Sequence, residues 1–254
     1  MKTLLNSVRM AFSMFSVIPA GRLEWTKDNM RYMLCALPLV GAVIGAVSFL
    51  IGGLCRAKGL DPLLTGALMT AAPAILSGGI HLDGFCDTAD ALASHADPEK
   101  MREIMKDSRA GAFAIIALCV YMMLYLAACT ALADLRLILI CPVLARSVGA
   151  LGSTLFQGTG KEGLLTGFRE NASAKTFLIL LVWIGLCLFS LALIHPLYMA
   201  VSAAGAGICL LLVKHTADKK FHGMSGDLAG YLIALTELFV LLFCAIAGGI
   251  GGLA

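Results

Sequence analysis

Seven long runs without a charge constrain this chain more than any other feature: Tyr32–Leu54, Leu63–Ile80, Ala110–Ala133, Leu137–Phe156, Thr176–Ile194, Pro196–Val213 and Leu228–Ala254. Only Arg146 and Glu237 interrupt them. Each run is close to the roughly 20 residues that a helix needs to cross a hydrocarbon layer about 30 Å thick. Backbone polar groups inside lipid must pair within their own segment, so the runs are expected to be helices. Charged residues make up 14% of the chain, whereas a soluble domain carries about 25%. The expected fold is all-α: a polytopic transmembrane helical bundle of about seven spans with short amphipathic surface helices, forming one integral membrane domain over residues 1–254. Leu63–Ile80 and Pro196–Val213 are the shortest runs and leave the count between six and eight.

Charge sorts the loops. The N-terminal segment (Lys2, Arg9, Arg22, Lys27, Arg31), loop 81–109 (Lys100, Arg102, Lys106, Arg109), loop 157–175 (Lys161, Arg169, Lys175) and loop 214–227 (Lys214, Lys219, Lys220) carry fifteen cations on one side. Arg56, Lys58 and Arg136 are the three on the other. The positive-inside rule makes the first side cytoplasmic, in an inner cell membrane. A net charge of +3 that is distributed by topology gives no reason to expect a nucleic-acid partner. Near the start, Leu4, Leu5, Val8, Phe12 and Phe15 recur at helical spacing, and Arg9 interrupts any signal-peptide core. An interfacial amphipathic helix is expected there. The nine cysteines form no C-x-x-C pair and suit small apolar filling in a reducing compartment. Gly41, Gly45, Gly52 and Gly53 suit close helix packing, and the run Gly248–Gly252 suits a frayed end.

The chemistry concentrates in His81-Leu-Asp-Gly-Phe-Cys-Asp-Thr-Ala-Asp90. On a helix, Asp83, Asp87 and Asp90 at i, i+4 and i+7 fall within roughly 60° of one another. Such a stripe of acids repels itself unless a cation intervenes, and Mg²⁺ is the natural candidate because it takes carboxylate and phosphate oxygens together. Asp83 and Asp87 are the expected metal ligands, and Asp90 is a third ligand or a base. Asp97-Pro98-Glu99 reads as a helix start, with Met101, Ile104 and Met105 as its apolar stripe. That short helix would deliver Lys106-Asp-Ser-Arg109 to the next span. Lys106 and Arg109, with Ser108 between, suit a phosphate, Arg through its fork and Lys as a point charge. Carboxylates, a divalent cation and these cations together equip phosphoryl or nucleotidyl transfer. His81 borders the cluster on another helical face. His95 and His195 read as ordinary loop residues, and a zinc site on His215 and His222 would lack partners at suitable spacing.

Two further features stand apart. Lys219-Lys-Phe-His-Gly-Met-Ser-Gly-Asp227 is a basic, Gly-rich turn before a helix, so Lys219 and Lys220, with His222, form a second candidate phosphate site. Arg146 lies ten residues from the cytoplasmic end of its run and Glu237 nine from the end of its own. At about 1.5 Å per residue both sit roughly 14–15 Å deep. A buried ion pair is expected, with Arg146 alternatively reaching substrate phosphate.

Gly78-Gly-Ile-His-Leu-Asp-Gly-Phe-Cys-Asp-Thr-Ala-Asp90 and Ile104-Met-Lys-Asp-Ser-Arg-Ala-Gly-Ala-Phe113 resemble the two signature stretches of the cobalamin synthase family, the adenosylcobinamide-GDP ribazoletransferases. Phe15-Ser-Val-Ile-Pro19 and Leu37-Pro-Leu-Val-Gly41 resemble the family's opening, Arg146 its mid-span arginine, and Gly226-Asp227 with Gly230 its late Gly-Asp helix. The resemblance spans nearly the whole chain. It implies a Mg²⁺-dependent membrane transferase that joins α-ribazole, or its 5′-phosphate, to adenosylcobinamide-GDP with release of GMP. The ribazole 3′-hydroxyl would attack the phosphate on the cobinamide side chain, with Asp90, Asp107 or Asp227 as the base. Ala91, Ala114 and Ala234 depart from the family pattern. The partners implied are these substrates and the bilayer, with a homo-oligomer left open. Two other readings stand beside this one. A CDP-alcohol phosphotransferase would need an Ala-Arg pair after Asp83-Gly84, which this chain lacks. A secondary transporter would use Arg146 and Glu237 as its pathway.

Overall fold

The computed structural model describes residues 2–21, 23–158 and 174–250. Arg22, Lys161 and Arg169, used above for orientation, lie outside these residues, as do most of loop 157–175 and the last residues of the Gly248–Gly252 run. Among the described residues there are eleven α-helices and no strand. In order they are α1 (Lys2–Phe15), α2 (Lys27–Met30), α3 (Met33–Ala57), α4 (Pro62–Leu76), α5 (Ile80–Ala93), α6 (Pro98–Ile104), α7 (Ala112–Ala131), α8 (Arg136–Leu155), α9 (Ala174–Ile194), α10 (Pro196–Thr216) and α11 (Gly226–Ile250). A π turn, Ala217–Phe221, continues α10.

Six helices are long and apolar enough to cross a membrane: α3, α7, α8, α9, α10 with its π turn, and α11. They coincide with six of the seven expected runs. The seventh, Leu63–Ile80, is broken. Asp61 starts α4 firmly, accepting from the backbone N–H groups of Leu63 (2.9 Å) and Leu64 (3.2 Å) with Pro62 at the first position. The helix stops at Leu76, because Gly78 and Gly79 follow with φ of 66° and 75°. Two successive left-handed residues cannot continue a right-handed helix, and glycine adopts that conformation without steric cost. α5 then leaves at 91° to α4. The acid-bearing helix therefore lies across the bundle.

α8 is the central helix, with 83% of its span window buried, against 17% for the peripheral α9. α3 reaches α8 through glycine. A Cβ on Gly41 would meet the Pro142 carbonyl and one on Gly45 the Leu139 carbonyl, so small residues set this approach as expected. Gly53, by contrast, faces open space. α1 lies on α3 with Ser7, Met10 and Ala11 buried and Leu4 and Leu5 exposed, the arrangement expected of an interfacial helix. Asp97 caps α6 by accepting from Lys100 N–H at 2.9 Å, and Met101 and Met105 are buried beneath it. All nine cysteines are free thiols.

The described parts of the loops grouped by their cations share one end of the bundle. Val17 N–H donates to the Leu76 carbonyl at 2.9 Å, and Met224 N–H donates to that of Gln157 at 2.6 Å. The π turn packs on α6. At the opposite end, Arg56 donates to the Leu132 carbonyl at 2.6 Å, and Arg136 pairs with Asp134.

Candidate active site

The site is built where α5 crosses the start of α11. Gly84 has no room for a side chain: its Cβ would run into the backbone of Asp227. One turn away, Gly230 lies against the backbone of His81. This double glycine contact brings Asp227 of α11 up to Asp83 and Asp87 of α5. The electrostatics record the proximity. Burial, then the charges of Asp83, Asp227 and Asp90, push the Asp87 carboxyl up to about 6. A group of acids in this state gains from a cation. Gly84→Ala is accordingly expected to lower stability by about 1–3 kcal/mol through overpacking and to cut activity further than the folded fraction explains. Thermal unfolding measured beside turnover checks this; wild-type values for both would remove the crossing from the site.

Asp83 lines two cavities. One is a cleft of about 930 Å³ whose wall also holds Asp87, Lys106, Asp107 and Ser108. The Gly78-Gly79 bend forms part of the same wall. The other is a smaller, mainly apolar pocket of about 220 Å³ between α1, α3, α5, α8 and α11, with Phe15, Leu37, His81 and Asp227 in its wall. Sequence reasoning missed this pocket, since its lining comes from five helices widely separated along the chain. The Phe15 motif is the one local signal that could have pointed to it.

The other sequence-derived candidates are distributed as follows. Lys106 and Ser108 are exposed in the cleft wall. Arg109 is held by Asp107 through Nε–Oδ1 (3.0 Å) and Nη2–Oδ2 (2.7 Å). The guanidinium in turn holds the Asp107 carboxyl at about 2, which makes Asp107 a poor proton acceptor at neutral pH. Asp90 is turned to the start of α7: its Oδ1 accepts from Ala114 N–H at 3.2 Å, and its carboxylate fills the space beside Gly111. It serves as a cap from a distance of 24 residues. Lys219 and Lys220 are exposed on the π turn, outside the walls of both cavities described here.

Arg146 takes the first of its two expected roles. It is 2% exposed, and its Nη1 bonds Glu237 Oε2 at 2.7 Å and the Pro142 carbonyl at 3.1 Å. Tyr125 OH donates to the other Glu237 oxygen at 2.9 Å. The expected ion pair is present, and the side chain lies outside the walls of the polar cleft and the apolar pocket. Arg146 Nε is left without a partner.

His81 is 6% exposed, and its Nε2 is buried without a hydrogen-bond partner. Its ring stacks on Phe15 with centroids 5.9 Å apart.

Among the described residues, no three His, Cys, Asp or Glu side chains gather closely enough to hold a metal unaided. Asp83 and Asp87, one helical turn apart, still fit Mg²⁺. That ion is commonly held by one or two carboxylates and completes its shell with water and substrate phosphate.

The sequence model of the cobalamin-5-phosphate synthase family matches residues 7–245. An adenosylcobinamide-GDP ribazoletransferase of Lachnoclostridium phytofermentans is 37% identical over 249 residues, covering 97% of this chain and 95% of its own. A protein of the same name from Clostridium perfringens strain 13 is 30% identical over 252 residues, covering 97% and 100%. Another, from Desulfitobacterium hafniense, is 36% identical over 228 residues and covers 86% of each chain. No solved structure matches. An all-helical membrane bundle carrying this acid-lined crossing, matched by the family along nearly its whole length, belongs to the cobalamin-5-phosphate synthase family, transferases of cobalamin biosynthesis.

Proposed function

We propose that this chain joins α-ribazole or its 5′-phosphate to adenosylcobinamide-GDP, releasing GMP, with Mg²⁺ held by Asp83 and Asp87. The carrying observation is that Asp83 lines both a polar cleft, together with Asp87, and an apolar pocket, together with Asp227. The cleft suits the pyrophosphate: Lys106 and Ser108 supply a point charge and a hydroxyl for its oxygens. Bound Mg²⁺ would supply charge neutralisation at those oxygens. Among the acids considered as base, Asp107 is committed to Arg109 and Asp90 to α7. Asp227 remains, partly buried at the mouth of the apolar pocket, and takes the proton of the attacking 3′-hydroxyl as the new bond to phosphorus forms and GMP leaves. The test is direct. Purified protein in lipid, given adenosylcobinamide-GDP, α-ribazole 5′-phosphate and Mg²⁺, releases GMP in proportion to the cobalamin phosphate formed. No GMP, or GMP without the joined product, would refute the reading.

The polar end of the bundle faces the cytoplasm of an inner cell membrane in this reading, as the excess of Lys and Arg there requires. Ser94, exposed just after α5, reports it. In a cysteine-free background, Ser94→Cys stays unlabelled by an impermeant maleimide in intact cells and reacts after lysis. Labelling from outside would invert the topology.

A further inference from the structure

The apolar pocket behind the acids has a size, shape and polarity that select one part of one substrate. Its roughly 220 Å³ falls below the about 300–1,000 Å³ typical of sites for drug-sized ligands. It can take a single fused ring but not a whole nucleotide or a corrin. Leu34, Leu37 and Ile233 supply apolar walls, while Phe15 and His81 present stacked rings with an interplanar angle of 22°. Ser153, also in the wall, is occupied by its bond to the Gly149 carbonyl at 2.8 Å. His81 is different: it is more than nine-tenths buried, and Nε2 has no partner. An unpaired polar atom beside an apolar cavity is costly until something completes it. A second cavity beside His81, of about 30 Å³, has room for little more than a water.

We propose that the pocket holds the planar, fused-ring base of the nucleoside acceptor, with His81 Nε2 hydrogen-bonded to a free ring nitrogen. This rests on the transferase reading, in which a nucleoside is the attacking substrate. The apolar ring leaves water for the pocket, and its hydroxyl-rich sugar stays at the mouth, where Asp83 and Asp227 lie. Base recognition thereby sets the 3′-hydroxyl against Asp227. His81 and the apolar walls become determinants of which base the enzyme accepts.

Ala229 and Leu37 line the pocket and allow it to be filled or widened. GMP release is measured with each substrate varied in turn. Ala229→Phe raises KM for α-ribazole 5′-phosphate at least tenfold and leaves KM for adenosylcobinamide-GDP within twofold. Leu37→Ala shifts relative kcat/KM toward an acceptor whose base carries an additional fused ring. Direct titration with benzimidazole alone needs no turnover: wild-type protein binds it, Ala229→Phe binds it at least tenfold more weakly, and His81→Phe loses the preference for benzimidazole over indene. Equal benzimidazole binding by wild type and Ala229→Phe, or a KM change confined to adenosylcobinamide-GDP, overturns the pocket assignment. Absence of benzimidazole binding to wild type overturns it as well. If benzimidazole binds as described while wild type releases no GMP with any nucleoside, the transferase reading fails and the base pocket stands.

Discussion

Asp83→Asn and Asp87→Asn each abolish GMP release in protein that still inserts and folds. Asparagine keeps the shape and one acceptor oxygen but removes the charge that holds a divalent cation. The loss exceeds the 10–100-fold typical when only an outer partner of a metal ligand is removed. Stability moves the other way at position 87. Because burial and neighbouring acids disfavour the charged Asp87 carboxylate, a neutral side chain relieves repulsion in the metal-free protein. Its thermal midpoint at neutral pH therefore equals or exceeds that of wild type. This opposite movement separates a functional acid from a structural one. Near-normal turnover with unchanged Mg²⁺ dependence in either variant would end the metal assignment. Asp90 gives a contrasting outcome: Asp90→Asn keeps an acceptor for Ala114 N–H, whereas Asp90→Ala loses a cap worth about 0.5–2 kcal/mol.

Arg146→Met destabilises the fold by about 3–5 kcal/mol, the range for breaking a buried ion pair by removing one partner. Glu237 would be left charged at 4% exposure, with Tyr125 OH as its remaining donor. Glu237→Gln does comparable damage by stranding the guanidinium. The double variant Arg146→Met/Glu237→Gln loses less than the sum, since neither charge is then buried alone. A double-mutant cycle on thermal stability reads the coupling. Strict additivity would mean that the 2.7 Å contact carries no energy. Activity per folded molecule stays close to wild type in all three proteins, because the pair lies below the catalytic cleft and not in its wall.

The same pair illustrates how much the sequence can reveal. A helix rises by a fixed amount per residue, so counting from the ends of two apolar runs puts Arg146 and Glu237 at one depth from the sequence alone. The spans were legible for a similar reason, since a bilayer imposes length and apolarity that a run must display. The third member of the polar cluster, Tyr125, was not legible, because an aromatic residue in α7 looks the same whether or not its hydroxyl meets a carboxylate. Gly78-Gly79 carried a visible break signal that hydropathy overrode, so an expected span ended at Leu76 and the helix after it turned aside. The acid stripe was read correctly as one helix face, yet angular agreement is not distance. Asp90 lies seven residues beyond Asp83, about 10 Å along the axis, which is far enough to serve a different helix. Asp227 entered through its motif. The reason it belongs with Asp83, a glycine at position 84 that admits another backbone, exists only in three dimensions.

The brevity of α4 has a consequence for the bilayer itself. Fifteen residues span about 22 Å, against a hydrocarbon thickness near 30 Å, so the helix falls about 8 Å short. Lipid must thin around it, or the bend at Gly78-Gly79 must lie below the headgroup plane. In either case the wall of the cleft formed by this bend stands close to the headgroups, and its depth is expected to vary with acyl-chain length.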